Sequence, residues 1–252
     1  YNPVNTRIYI KDESETKKPS RQLTLLNDRS QGGASLKPGS LELMLHRRMY
    51  QDDGLGLGEG LNELGVDNNG LIVKGKIYLV FDTIKNSARH HRDLALRINS
   101  QPLVMFSSHD DFKSLNNFGA ISNKLPPNLH ILTLYKDFEK YDNYSSSLIV
   151  RIEHFYEKNE DEILSKPITL DLFETFGDFY QISDIEELAL GANMKVEEMK
   201  NRLKWNSDAI ADFSDGFNYG EEKIDANYKS SFKFRPMEIR TFRIWYTPKT
   251  NR

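Results

Sequence analysis

An Asp-Arg pair followed by two glycines is the first group in this sequence that could recognise a polar ligand. Asp28 and Arg29 open the stretch DRSQGGASLKPGSLELMLHRRM, in which Gly32 and Gly33 precede alternating apolar residues. A guanidinium presents several N–H donors in a fixed fork, and a carboxylate accepts hydrogen bonds. The pair is typical of a substrate site held over a sheet, and equally of the polar start of a hairpin.

Acidic residues cluster in the second half of this stretch and shortly after it, at Glu42, Asp52, Asp53 and Glu59. Glycoside hydrolysis uses two carboxyl groups on either side of the scissile bond, so the cluster offers candidates. The chain contains 37 acidic residues, however, and clusters of this kind arise by chance. Exposed charges are the favoured interpretation.

Histidine is the other residue type that could supply chemistry. His109 and Asp111 stand two residues apart, which on a strand places both side chains on one face and could begin a zinc site. Two ligands do not complete a site, and the other histidines show no paired metal spacing, so a polar loop is favoured. The neighbouring His90 and His91 are predicted to lie on a solvated surface.

Composition excludes several functions. The 252 residues include 34 Lys and Arg against 37 Asp and Glu, a formal net charge of -3, which does not resemble the basic surface that binds a phosphate backbone. No apolar run is long enough to cross a bilayer. The absence of cysteine removes disulfides and thiolate chemistry. We therefore expect neither nucleic acid nor a membrane as a partner.

Alternating apolar and polar residues recur along the chain and predict an all-β fold. The stretches with this pattern are QLTLL, SLELMLH, LIVKGKIYLVFD, LHILTLY, SLIVRIEHFY, PITLDLF and FKFRPMEIRTFRIWY. Turn-forming clusters such as Asn68–Gly70 separate them, because Asn and Gly can adopt a positive φ. Short strands joined by regular turns indicate β-sandwiches.

Two segments qualify this pattern. Ser183 and Glu186 have the spacing of a capping box, which predicts a helix that continues toward Leu203 although Gly191 interrupts it. The strand-like sequence at Arg7–Ile10 is already in progress near the first residue, where a few loose residues normally precede the first element. It therefore predicts a further segment before it.

One N-glycosylation sequon occurs in the chain, at Asn143. It precedes the strand-like sequence SLIVRI, where a surface loop could carry a glycan if the chain passes through the secretory pathway. An unmodified turn is the alternative, and the sequence leaves both open.

Five motifs spread over nearly the whole chain are specific enough to compare with known families. They are PVNTRIYI at Pro3–Ile10, DRSQGGASLKPGSLELMLHRRMYQDDGLGLGEGLNE at Asp28–Glu63, LPPNLHILTL at Leu125–Leu134, NRLKW at Asn201–Trp205 and PMEIRTF at Pro236–Phe242. In this order they resemble the C-terminal portion of glycoside hydrolase family 38, the α-mannosidases, and in particular its lysosomal members.

The resemblance implies a retaining, zinc-dependent exo-mannosidase that acts on N-linked glycans in the lysosome or after secretion. In that family His and Asp side chains hold zinc, an Asp attacks the anomeric carbon, and a second acid protonates the leaving oxygen. The resemblance places these residues upstream. The sequence SSHDDFKSL lacks the family's continuation after His-x-Asp, so His109 does not inherit a ligand role. We expect no catalytic residue and no metal ligand in this chain.

The resemblance also implies the architecture. Residues 1–163 are expected to form part of a β super-sandwich of the galactose-mutarotase-like type, and residues 164–252 a smaller C-terminal β-sandwich. In addition, the resemblance favours a strand over a helix for Ile182–Leu190.

In the family, one loop of the C-terminal portion reaches the sugar pocket, and the resemblance assigns that loop to the Asp-Arg stretch. Asp28, Arg29, Gly32 and Gly33 are then the candidate substrate-binding residues. The glycines would form a tight reversal close to the ligand, and a guanidinium or a backbone carbonyl would bond a mannose hydroxyl. The alternative is a buried Asp28–Arg29 ion pair that joins two domains, and neither interpretation is favoured.

The expected partners are the upstream catalytic part of the same protein and mannose-containing oligosaccharides, and association between copies of the chain stays open. The alternative function is that of an independent, non-catalytic, carbohydrate-binding β protein. Against it, a strand beginning at Arg7 would have an unpaired edge if nothing preceded it.

Overall fold

β-Strands make up most of the regular structure, which confirms the predicted all-β class in its main feature. A computed structural model describes residues 1–12, 19–106, 119, 121, 125–137, 146–178, 180–200 and 230–249. Its strands are β1 (Asn2–Val4), β2 (Arg7–Lys11), β3 (Arg21–Asn27), β4 (Gln31–Ala34), β5 (Glu42–Leu43), β6 (Ile77–Thr83), β7 (Leu129–Lys136), β8 (Ser146–His154), β9 (Ile168–Asp171), β10 (Tyr180–Leu188), β11 (Ser231–Phe234) and β12 (Ile239–Pro248). Its helices are α1 (Ile84–Asn99), α2 (Leu172–Phe176) and α3 (Val196–Lys200).

The chain divides into two compact units, Tyr1–Ser108 and His109–Arg252. In the second unit, β7 and β8 share one antiparallel sheet with β10 and β12, in the order β10-β12-β8-β7. Strands from both sides of residue 163 therefore belong to one sheet. The assignment of residues 1–163 and 164–252 to two family domains stays a prediction.

The first unit contains two small antiparallel sheets, β2-β3-β6 and β1-β4-β5. Strand β3 lies in the middle of the first sheet, paired with β2 on one side and β6 on the other. Leu26 lies on the face that packs against Ala95 and Ile98 of α1, whereas Leu23 and Leu25 lie on the opposite face. The end of β3 leads directly into the Asp-Arg stretch, so this sheet positions the candidate site.

Helix α1 was not predicted from the sequence. Its buried positions include Ala88, His91, Ala95 and Ile98, and this spacing of three and four residues places them on one face of a helix. The many Arg and His residues in the segment obscure the apolar stripe. The prediction that both His90 and His91 lie on a solvated surface is wrong for His91, which is buried under the sheet.

The second unit has the main apolar core. Twelve buried side chains from β7, β8, β9, α2, β11 and β12 form one cluster, because the inner faces of the four-stranded sheet and of the β9–β11 pair each present alternate apolar residues. Strand β12 lies between β8 and β10 and contributes Phe242, Ile244 and Tyr246 to this core.

The helix predicted from the capping-box spacing of Ser183 and Glu186 is wrong in its first part, where β10 confirms the strand favoured for Ile182–Leu190 over most of its length. Further along the same predicted helix, α3 is helical at Val196–Lys200. The pairing of β10 with β12 is irregular between Ile182 and Asp184, which explains why the sequence did not show a clear strand pattern here. An extra residue in one strand shifts its apolar residues between faces, so neither the helical nor the two-residue period fits the segment.

Among the described residues, no helix is both long enough and apolar enough to cross a membrane.

The burial of His91 predicts an acid sensitivity of the first unit. Burial lowers the pKa of His91 to about 3, and the charges of Arg7 and Arg92 add to this effect. An unfolded histidine titrates near 6.5, so the unfolded chain binds the proton first and stability falls as the pH drops from 6.5 toward 3. Between pH 7 and pH 5 we expect a loss of about 2 kcal/mol that His91→Leu removes.

The measurement is the unfolding midpoint at both pH values. His90→Leu is the matched control, because His90 is exposed and lies next to His91 in the same helix. Equal pH dependence in wild type and His91→Leu would contradict the prediction.

Candidate functional site

Asp28 and Arg29 form the turn that follows β3. Arg29 Nη1 lies 3.1 Å from Asp28 Oδ1, and the two side chains are 34 % and 27 % exposed. The other carboxylate oxygen, Asp28 Oδ2, accepts a hydrogen bond of 2.7 Å from the backbone N–H of Lys76. The ion pair is therefore half-buried, and it ties the turn to the segment that leads into β6.

The Arg29 guanidinium lies along the backbone of two neighbouring segments. Nη1 donates to the carbonyl of Lys74 and Nη2 to that of Leu45, each at a long 3.4 Å. A Cβ atom at Gly75 would overlap the guanidinium, so the arginine side chain occupies the space that a larger residue there would need. Apart from the ion pair with Asp28, its donors make only these two long bonds, which leaves the guanidinium able to bond a ligand.

Gly32 and Gly33 do not form the predicted tight reversal. Both lie inside β4, where they pair with Pro3 and Asn2 of β1. Glycine is needed at Gly33 because neighbouring side chains of the β1-β4-β5 sheet leave no space for a side chain there. A Cβ at Gly33 would lie 2.5 Å from Val4 Cγ2 and 3.2 Å from a Leu43 methyl.

We expect Gly33→Ala to destabilise the first unit by about 1–3 kcal/mol, the usual cost of overpacking a close contact. Gly32→Ala is the matched control in the same strand. A Cβ there would meet the Met44 sulfur at 2.9 Å, and this flexible side chain can move at small cost. The thermal midpoints of the two variants measure the difference, and equal midpoints would contradict the role of Gly33.

An open groove of about 930 Å³ lies beside Arg29. Its polar lining includes Tyr1, Arg29, Gln31, His46 and Arg47. Gln31 Nε2 donates to the carbonyl of Met44 at 2.9 Å, which fixes β4 against the segment that carries His46 and Arg47. Most of the exposed lining of the groove is apolar, and these polar side chains place a few donors in it, the groups that sugar hydroxyls and anions accept from.

The four candidate residues differ in their relation to this groove. Arg29 and Gly32 line it, whereas Asp28 and Gly33 are absent from its lining. Asp28 instead supports Arg29, and Gly33 supports the sheet. Gln31, His46 and Arg47 were not selected from the sequence, because nothing in their local spacing distinguishes them from other polar residues, and only the pairing of β4 with β5 brings them together.

The acidic cluster after the Asp-Arg stretch is exposed, as predicted. Glu42 accepts a hydrogen bond from the Tyr1 hydroxyl, and this bond raises the pKa of the tyrosine. Asp52 Oδ1 accepts from the Gly54 amide at 2.6 Å, and Asp53 Oδ1 from the Leu55 amide at 3.0 Å. Asp52 and Asp53 thus stabilise local turns, whereas Glu42 bonds a distant residue, and the structure gives no reason to pair any two of these carboxylates for catalysis.

Metal ligation has no support in the described part of the chain, where no three His, Asp or Glu side chains converge as a metal site requires. His109 and Asp111, the pair considered from the sequence, lie outside the described residues. The sequon at Asn143 also lies outside them.

Two models of known protein families match this chain. The model of the glycosyl hydrolases family 38 C-terminal domain matches residues 1–55, and that of the family 38 C-terminal beta sandwich domain matches residues 128–242. Together they match more than half of the sequence. The chain belongs to glycoside hydrolase family 38. The first match includes the polar lining of the groove. The second takes in β7 to β11 and the beginning of β12, as far as Phe242.

Relatives within family 38 match almost the whole chain. The lysosomal alpha-mannosidase of Cavia porcellus is 38 % identical over 96 % of this chain, and that of Homo sapiens is 36 % identical over 96 %. The alpha-mannosidase of Canavalia ensiformis is 32 % identical over 98 %. The matched regions are 23 %, 22 % and 25 % of these relatives, so the chain spans about a quarter of their length and corresponds to a C-terminal portion.

Proposed function

We propose that this chain is the C-terminal part of a lysosomal-type α-mannosidase, a retaining, zinc-dependent glycosidase that removes α-linked mannose from N-glycans. Its role is structural, and it supplies one wall of the sugar pocket. The observation that carries the proposal is the groove beside Arg29, whose polar lining lies in the region matched by the family model. The names of the mammalian relatives support a lysosomal location.

The groove has the chemistry for recognising a mannose residue. Arg29 donates only weakly to backbone carbonyls, so these N–H groups can bond sugar hydroxyls while the ion pair with Asp28 is kept. The apolar side chains of Met44, Leu61 and Val73 also line the groove and can pack against the carbon face of a sugar ring. This chain thus binds and orients the substrate.

The bond-breaking groups belong to another part of the protein in this proposal. A retaining glycosidase needs one carboxylate as nucleophile and one carboxylic acid as proton donor, and no described carboxylates around the groove form such a pair. The described residues also do not fit a zinc site. We therefore derive no catalytic step from this chain, and assign zinc and the nucleophile to the part of the protein that it does not span.

An open apolar sheet face supports this partner. In the β2-β3-β6 sheet, the face opposite α1 carries seven apolar residues in register, and in β6 Leu79 is 67 % and Phe81 69 % exposed. The seven residues are Ile8, Ile10, Leu23, Leu25, Ile77, Leu79 and Phe81. A continuous apolar face of this kind normally packs against a second sheet. We propose that the rest of the same polypeptide supplies it, since about three-quarters of the relatives' length lies outside the match.

The activity is tested with the full-length protein and an aryl α-mannoside. We expect hydrolysis that a zinc chelator abolishes and zinc restores. Arg29→Ala is expected to raise KM roughly ten-fold, the effect of losing one hydrogen bond from a charged group, with unchanged zinc content. Arg48→Ala is the matched control, because Arg48 bonds Asn62 and does not line the groove. Mannoside binding without hydrolysis would favour the carbohydrate-binding alternative.

The partner is tested by co-expressing this chain with the preceding part of the protein. Leu79→Asp is expected to prevent their association, because it places a charge on a face that must be desolvated. Leu55→Asp is the control, since Leu55 is exposed in a loop outside the sheet. Native mass measured after co-purification decides the matter, and an intact complex in the Leu79→Asp variant would contradict this interface.

A further inference from the structure

We infer that Asn27 is the positioning residue that holds Arg29 in the groove. The inference rests on the proposed function for the contact between Arg29 and the sugar. Asn27 is the last residue of β3 and is fully buried. Its sequence position, directly before the Asp-Arg pair, places its carboxamide beneath the turn.

The Asn27 carboxamide connects two separate segments. Nδ2 donates to the carbonyl of Val4 at 2.7 Å and to the carbonyl of Arg29 at 2.5 Å. One bond therefore joins the turn to β1, and the other fixes the backbone of the residue that lines the groove. Asparagine can make both because its NH₂ group carries two protons.

The two ends of Arg29 are thereby held independently. Asn27 holds its carbonyl, whereas the Asp28 carboxylate and the space over Gly75 hold its guanidinium. Without the amide donor, the buried carbonyl of Val4 and the partly buried carbonyl of Arg29 would each lose a partner, and the turn would rotate to reach water. The guanidinium would then leave its place in the groove although no residue that touches the sugar had changed.

Asn27→Asp is the sharpest substitution, because aspartate has nearly the same shape but cannot donate when ionised. In the full-length enzyme we expect KM for the aryl mannoside to rise at least five-fold and kcat to change less than two-fold. A loss of sugar binding that affects ground state and transition state equally has this signature. A purely structural role would lower the amount of active enzyme and leave KM unchanged.

A double-mutant cycle with Arg29→Ala tests whether the effect passes through Arg29. We expect the Asn27→Asp/Arg29→Ala double variant to have the KM of Arg29→Ala alone. Multiplied effects of the two substitutions would overturn the inference, because Asn27 would then act on the substrate by another route. If Asn27→Asp does not fold, Asn27→Ser takes its place in the same cycle.

Hydrogen exchange of the Lys76 amide gives a readout that is independent of activity. This amide donates to Asp28 Oδ2, so it exchanges faster when the turn is released. We expect faster exchange in Asn27→Asp and wild-type exchange in Arg48→Ala. Unchanged exchange would overturn the inference about Asn27, whereas an unchanged KM in Arg29→Ala would overturn the proposed contact of Arg29 with the sugar.

Discussion

Replacing Phe242 by alanine is expected to lower the free energy of unfolding of the second unit by about 3–5 kcal/mol. Phe242 is completely buried in the central strand β12. Its ring centroid lies 4.4 Å from that of Phe232 and 6.2 Å from that of Phe234. The ring therefore joins the four-stranded sheet to β11. Its removal leaves a cavity that the hydrogen-bonded strands cannot close.

The matched control is Phe173→Ala, since Phe173 lies in α2 of the same unit and is 40 % exposed. Removing a partly exposed ring forfeits less transfer free energy and leaves no enclosed cavity. The unfolding of the second unit is measured by amide hydrogen exchange in β12 at increasing denaturant concentration. This local measurement is needed because a large protein does not unfold in one step. Equal losses in the two variants would contradict the central position of Phe242.

The second unit shows what alternating patterns predict well. Leu148, Val150 and Ile152 alternate in the sequence, and all three are buried in β8. The apolar pattern and the final structure agree here because the strand is long and lies next to two partners, so both local propensity and packing favour the same conformation. Strand β12 was predicted for the same reason, and β7 was predicted from its alternation although, among the described strands, it pairs only with β8.

The candidate site was predicted only in part, because its geometry depends on pairing between distant segments. The resemblance drew attention to Arg29, and the structure places it in a groove. The resemblance could not indicate that Gly33 allows β1 to pack closely against β4, or that Gln31 and His46 line the same groove. These relations arise from strand register, which short-range spacing does not specify. Asn27 was missed for the same reason, since its partners are Val4 and the following turn.

Arg240 shows that a specific motif can serve the scaffold rather than the site. It lies in PMEIRTF, one of the motifs that identified the family, and its guanidinium makes a two-pronged ion pair with Glu187 at 2.7 and 2.6 Å. Nη1 also donates to the carbonyl of Lys233 at 2.7 Å. The guanidinium carbon lies 5.2 to 5.7 Å from the ring centroids of Phe232, Phe234 and Phe242.

Replacing Arg240 by alanine is expected to cost about 2–4 kcal/mol of unfolding free energy, because it leaves the Glu187 carboxylate without its partner in a site where Glu187 is only 24 % exposed. Arg240→Lys should recover less than half of the loss, since an ammonium cannot replace the planar fork or its stacking on rings. Arg97→Ala is the control: its ion pair with Asp93 is exposed, and we expect a change below about 0.5 kcal/mol.

The Arg240 experiment also separates stability from recognition. Every groove residue belongs to Tyr1–Ser108, whereas Arg240 and its partners belong to His109–Arg252. We therefore expect Arg240→Ala in the full-length enzyme to unfold at lower denaturant concentration and to retain the wild-type KM for an aryl mannoside below that midpoint. A raised KM would assign Arg240 a part in substrate binding. Wild-type stability would mean that the ion pair only compensates the desolvation of its own charges, and that the phenylalanine core alone holds β10, β11 and β12 together.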